Sequence, residues 1–119
     1  MSKPASTITI YHNPRCSKSR ATLALLEERG ITPQIIEYLK TPPTEAELAA
    51  VLKKLGMNAR DLIRTGEDVF KDNFQGRTLD NAGWLCALAE NPILIERPIV
   101  IKEERAIIGR PPEKVLELL

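Results

Sequence analysis

The chain has 119 residues, is 43% hydrophobic and 28% charged, and carries a formal net charge of +1. That length supports one domain around one core, and so small a net charge supplies no general field for nucleic acid or an acidic membrane. No apolar run is long enough to span a bilayer, and the opening MSKPASTITIY has a lysine but no apolar stretch behind it, so it is no secretory signal. Met1 to Ser6 reads as a loose tail, and the cytoplasm is the expected compartment.

TITIY, residues 7–11, is short and β-branched and reads as a strand. HNPRCSKS follows as a loop, and SRATLALLEERG, residues 19–30, reads as a helix with Leu23 and Leu26 at helical spacing and Gly30 as its stop. TPQIIEYL, residues 32–39, reads as a second strand, and the order strand, helix, strand predicts a right-handed crossover with parallel strands. Next, Thr44 and Glu47 carry the spacing of a helix-capping pair, and Gly56 closes that helix. NARDLIRTG reads as a short helix from Asn58, EDVFKDNFQGR is weakly patterned, and TLDNAGWLCALAEN, residues 78–91, reads as a helix with Leu85 and Leu88 on one face. Residues 57–91 therefore read as a helical insertion. PIVI and AIIG flank the charged KEER, a hairpin signal, and PPEKVLELL opens a last helix with proline in its first turn. The expected fold is α/β, a single domain over residues 1–119. Its order of β-α-β, a helical block and β-β-α around a small mixed sheet is that of a thioredoxin-like fold with helices inserted in the middle.

Two cysteines stand seventy residues apart, Cys16 and Cys86. In a reducing compartment a structural disulfide between them is disfavoured, and two cysteines with one histidine offer no zinc-ligand spacing, so no metal is expected. Cys86 lies in the apolar WLCALA and reads as a core residue. Cys16 lies in the polar HNPRCSKSR, at or just before a helix N-terminus. Free backbone N–H groups, the helix dipole, and the charges of Arg15, Lys18, Arg20 and His12 would all favour a thiolate there. The same features bind an oxyanion. The sequence Cys16-Ser17-Lys18-Ser19 lacks the second cysteine of a dithiol oxidoreductase, so a resolving thiol must come from elsewhere. Only three residues separate Cys16 from Arg20, too few for the phosphate-wrapping loop of a cysteine phosphatase. Other groups must complete an anion site. Arg97 before Pro98, Arg110 before Pro111, and Arg64 in the helical block are candidates, because guanidinium groups suit tetrahedral oxyanions.

ITIYHNPRCSKSR, RPIVI and IGRPPE, in that order and with TPPT between the first two, resemble the ArsC family of arsenate reductases. This is the thioredoxin-fold branch that uses glutaredoxin and glutathione, and the resemblance runs from about Thr7 to the C-terminus. It implies arsenate as substrate, Cys16 as the nucleophile that forms a thiol-arsenate adduct, and His12 as a residue that helps hold the thiolate. It implies Arg64, Arg97 and Arg110 as oxyanion or intermediate ligands, with Ser19, Arg20 and Pro98 in support, Pro98 matching a cis-proline that faces the cysteine. Glutathione as co-substrate and glutaredoxin as partner follow, with no bound cofactor, nucleic acid or membrane. Residues 66–77 match the pattern poorly, and CSKS marks a branch of its own. Two other functions suit this fold. One is a monothiol protein acting on glutathione mixed disulfides. The other is a redox-sensitive transcription regulator resembling the Spx proteins that bind RNA polymerase, which this chain resembles less at YHNP and GRPPE.

Overall fold

β-Branched and aromatic side chains extend the chain over β1 (Ile8–His12), whose alternation buries Ile8 and Ile10 on one face. The structure is a computed structural model that describes residues 7–119. The tail expected at Met1 to Ser6 lies outside the described residues. The chain divides into two compact units. One combines the chain up to Tyr38 with Arg97–Leu119, and the other is Leu39–Glu96.

In the first unit, α1 (Ser17–Glu28) follows β1 and returns the chain to β2 (Gln34–Glu37), which pairs parallel to β1 with His12 opposite Glu37. β3 (Ile99–Lys102) runs antiparallel to β1, and β4 (Arg105–Ile108) antiparallel to β3, giving the strand order β2-β1-β3-β4. The hairpin is tighter than the sequence reading: Lys102 and Arg105 join the strands, leaving Glu103 and Glu104 as the turn. The last helix, Pro112–Leu118, is 3-10 rather than α. Leu26 of α1 with Val115 and Leu118 of that helix covers Ile8, Ile10 and Val100, forming the core of this unit. Because side chains alternate along a strand, His12 shares the face of Ile8 and Ile10, the face that α1 covers.

The second unit is helical. α2 (Glu45–Leu55) starts at the expected Thr44 and stops at Gly56. The Glu47 N–H donates to Thr44 Oγ1 (3.1 Å) and the Thr44 N–H to Glu47 Oε1 (2.9 Å), and Gly56 takes φ 69° in the left-handed region. A 3-10 turn at Ala59–Leu62 begins after Asn58. The weakly patterned stretch folds as α3 (Asp68–Asn73), and α4 (Asn81–Glu90) is capped by Asp80, whose Oδ1 accepts the Gly83 N–H at 2.8 Å. What holds α3 is tertiary: Phe70 stacks on Phe74 and Trp84 at 6.5 and 6.3 Å, with the Arg60 guanidinium over Phe70 and Trp84. Six residues without that aromatic partner carry too little periodicity to read locally. The buried face of α4 is Trp84, Ala87 and Leu88, so Leu85, expected inside, is only half-buried. An isolated bridge between Ile63 and Ile95 closes the unit and brings Arg64 beside Glu96.

The two cysteines depart from their expected surroundings. Cys86, read as core, is half-buried, while Cys16, read in a polar stretch at or just before a helix N-terminus, is only 8% exposed. Cys86 lies one position off the buried face of α4. Cys16 is covered by groups distant in sequence, which local polarity cannot reveal.

Candidate functional site

The loop after β1 is built on Asn13, whose side chain is buried. The Asn13 carbonyl accepts the Cys16 N–H at 2.9 Å, its Oδ1 accepts the Arg15 N–H at 3.0 Å, and its own N–H donates to Ser19 Oγ at 3.0 Å. The Arg20 guanidinium reaches back to the Pro14 carbonyl at 2.9 Å. Backbone and side-chain bonds therefore close a turn that delivers Cys16 to the N-cap position of α1, where its carbonyl accepts the Arg20 N–H (3.0 Å).

At that position the thiol falls below its ordinary range. Burial alone would raise it, but the backbone N–H of Ser19, the Arg97 guanidinium and the Lys18 N–H together outweigh burial. Arg110 Nη2 lies 3.6 Å from Cys16 Sγ, and its Nε donates to the Arg97 carbonyl at 2.8 Å, so the second arginine is anchored to the backbone of the first. Both arginines precede cis-prolines, at Arg97–Pro98 and Arg110–Pro111. The arrangement offers a thiolate, helix N–H groups and two guanidinium groups to one anion.

Gly109 is placed by close approach. A Cβ there would stand 2.6 Å from Thr22 Oγ1 and 3.0 Å from Pro98 Cγ. Thr22 is fully buried and held by the Lys18 carbonyl at 2.8 Å, so it cannot retreat cheaply. Gly109→Ala is expected to cost about 1–3 kcal/mol in urea unfolding and to displace Arg110 from Cys16. An unchanged denaturation midpoint would show that the β4 end yields.

His12 is buried, with Nδ1 2.6 Å from Ser19 Oγ. Its protonation is pushed below the ordinary 6.5, chiefly by burial, with Glu37 acting upward and Arg20 downward. At neutral pH it is therefore uncharged, and the positive charge that the sequence reading gave it beside Cys16 is absent, because desolvation outweighs the one carboxylate that favours it. The unfolded chain binds this proton near pH 6.5 and the folded chain only lower, so this group costs stability as pH falls through that window and contributes none of that cost above it. Between about pH 7.5 and about pH 5.5, the urea midpoint of the wild type is expected to fall more than that of His12→Gln. Parallel declines would remove His12 as the cause.

Arg64 belongs to the second unit, where its Nε contacts Glu67 at 3.2 Å and its Nη1 contacts Glu96 at 2.8 Å. Burial works against its charge, but the two carboxylates hold it protonated more firmly than usual. Arg15 and Lys18 are exposed, Pro98 is buried, and its carbonyl accepts the Gly109 N–H at 2.9 Å. The first unit thus brings together His12, Cys16, Ser19, Arg20, Arg97, Pro98 and Arg110. Sequence reasoning missed Asn13, Thr22 and Gly109. The Asn-Pro pair is a turn signal that could have marked Asn13, whereas nothing local marks Thr22.

A four-stranded mixed sheet whose first helix begins at a cysteine, with two X-Pro arginines beside that sulfur, defines a thioredoxin-like domain. The chain belongs to the ArsC family, whose pattern matches residues 11–118. It is 49% identical to an arsenate reductase of Haemophilus influenzae, over 95% of this chain and 99% of the relative. It is 51% identical to the uncharacterized protein YfgD of Escherichia coli K12, over 94% of this chain and 96% of the relative. The solved structure of an arsenate reductase from Vibrio cholerae superposes with a TM-score of 0.92 at 50% identity, covering 97% of this chain and 99% of that one.

Proposed function

We propose that the protein is an arsenate reductase in which Cys16 is the nucleophile. The observation that carries the reading is the pairing of a favoured thiolate with Arg97 and Arg110 around one sulfur. Cys16 Sγ displaces one arsenate oxygen as water, forming a sulfur–arsenic bond, with Arg97 and Arg110 balancing the oxyanion charge. Two further thiols, from glutathione and glutaredoxin, supply two electrons by becoming a mixed disulfide; As(V) becomes As(III) on the sulfur, and water then cleaves the sulfur–arsenic bond to release arsenite and the Cys16 thiol. This accounts for Ser19 standing where a dithiol enzyme carries its resolving cysteine. Ser19 and His12 orient the loop, Arg20 and Pro98 support it, and the cytoplasm supplies the reduced glutathione. The domain needs no resident metal or cofactor for this chemistry. Relatives of the same family that bear the name arsenate reductase support the substrate.

The resemblance adds Arg64 as a third oxyanion ligand. Its guanidinium is already engaged by Glu67 and Glu96, so Arg64→Ala is expected to reduce turnover less than Arg97→Ala. The deciding experiment is arsenate-dependent oxidation of glutathione with purified glutaredoxin, paired with protection of Cys16 from iodoacetamide by arsenate. Turnover and protection together support the reading. Turnover of a glutathione mixed disulfide with no response to arsenate would replace it with a monothiol oxidoreductase, and neither activity would sink both.

A further inference from the structure

The sheet register sets a carboxylate beside the buried imidazole. Glu37 is the parallel-strand partner of His12, and side chains in register on adjacent strands stand on the same face about 4.8 Å apart. On its other side His12 Nδ1 meets Ser19 Oγ at 2.6 Å, and that hydroxyl also accepts the Asn13 N–H at 3.0 Å. Ser19 then contributes its backbone N–H to Cys16. A line of polar groups therefore runs from the outer strand β2, through β1, to the N-terminus of α1.

We propose that Glu37 is a positioning residue of the Cys16 site: its carboxylate, in register with His12 on the neighbouring strand, fixes the tautomer and orientation in which the imidazole meets Ser19, and through Ser19 it sets the loop that holds the sulfur. A neutral imidazole accepts the Ser19 hydroxyl proton at Nδ1, which leaves the hydroxyl oxygen to accept from Asn13. A protonated imidazole must donate instead, so the Ser19 hydroxyl accepts at both lone pairs and has to turn its own proton to a different acceptor. The charged groups acting on His12 are Glu37 from β2 and Arg20 from α1, with opposite signs. This inference rests on the reading of Cys16 as the reacting group.

His12 is the one histidine in the chain, so in protein without a histidine tag its imidazole C2 proton needs no assignment in a proton NMR titration. Glu37→Gln is expected to lower the His12 midpoint by about half a pH unit or more, Glu37→Asp to restore most of it, and Arg20→Gln to raise it. An unmoved midpoint in Glu37→Gln overturns the proposal. The second measurement is the pH profile of Cys16 alkylation in a double-mutant cycle with His12→Gln. Glu37→Gln is expected to move that profile when His12 is present and to leave it unmoved when His12 is glutamine. Equal movement in both backgrounds, or none in either, would mean that Glu37 does not act through His12. Failure of arsenate turnover with these shifts intact would overturn the proposed substrate and leave the positioning role standing.

Discussion

Cys16→Ser is expected to lower arsenate turnover by about 10³-fold or more, to the level of the assay without enzyme. A serine hydroxyl in the same place stays protonated at neutral pH and is a far weaker nucleophile. Serine is also a favoured N-cap residue, so α1 keeps its start and the protein its fold. The urea midpoint should hold or rise while activity disappears, which separates chemistry from stability. Retained turnover in this variant would remove Cys16 as the attacking atom, and with it the mechanism. A large fall in stability would instead show that the buried sulfur packs in a way the oxygen cannot reproduce.

The second large effect is expected at Arg97. Its guanidinium acts on Cys16 both by hydrogen bonding and by charge, against the upward pull of burial. Arg97→Ala removes both, so the alkylation midpoint of Cys16 should move up. The kcat/KM for arsenate should fall by roughly 10²-fold or more, in the range found when a preorganised donor is removed from a developing oxyanion. Arg97→Lys keeps the charge but loses the planar paired donors, and should fall between the two. The carbonyl of residue 97 still anchors Arg110 Nε in either variant, because that contact is to the backbone. Activity that falls with no movement of the alkylation midpoint would mean that Arg97 binds the oxyanion without tuning the thiol.

Local signals were strong wherever a residue's role depends on its near neighbours. Thr44, Glu47 and Gly56 bound α2 through contacts three or four residues apart, and the structure repeats them. The strand that precedes the cysteine loop follows likewise from its β-branched residues, the parallel crossover from the order strand, helix, strand, and the hairpin from two apolar runs around a charged stretch. Signals were weak where a partner comes from far along the chain. Phe70 within α3 and Phe74 just past its end are held because Trp84 meets both. Gly109 is required because Thr22 and Pro98 crowd it.

The cysteine site divides the same way. Sequence alone determined that Cys16 follows a strand and precedes a helix in polar surroundings, since chain order and local charge suffice for that. Tertiary structure decided that Cys16 is buried, that Arg97 and Arg110 reach it from across the sheet, and that His12 is neutral. The physical reason is that desolvation and Coulomb interaction depend on distance in space. A count of cationic residues around position 16 treats His12 and Arg97 alike, whereas burial removes the charge of one and strand pairing brings the other to the sulfur.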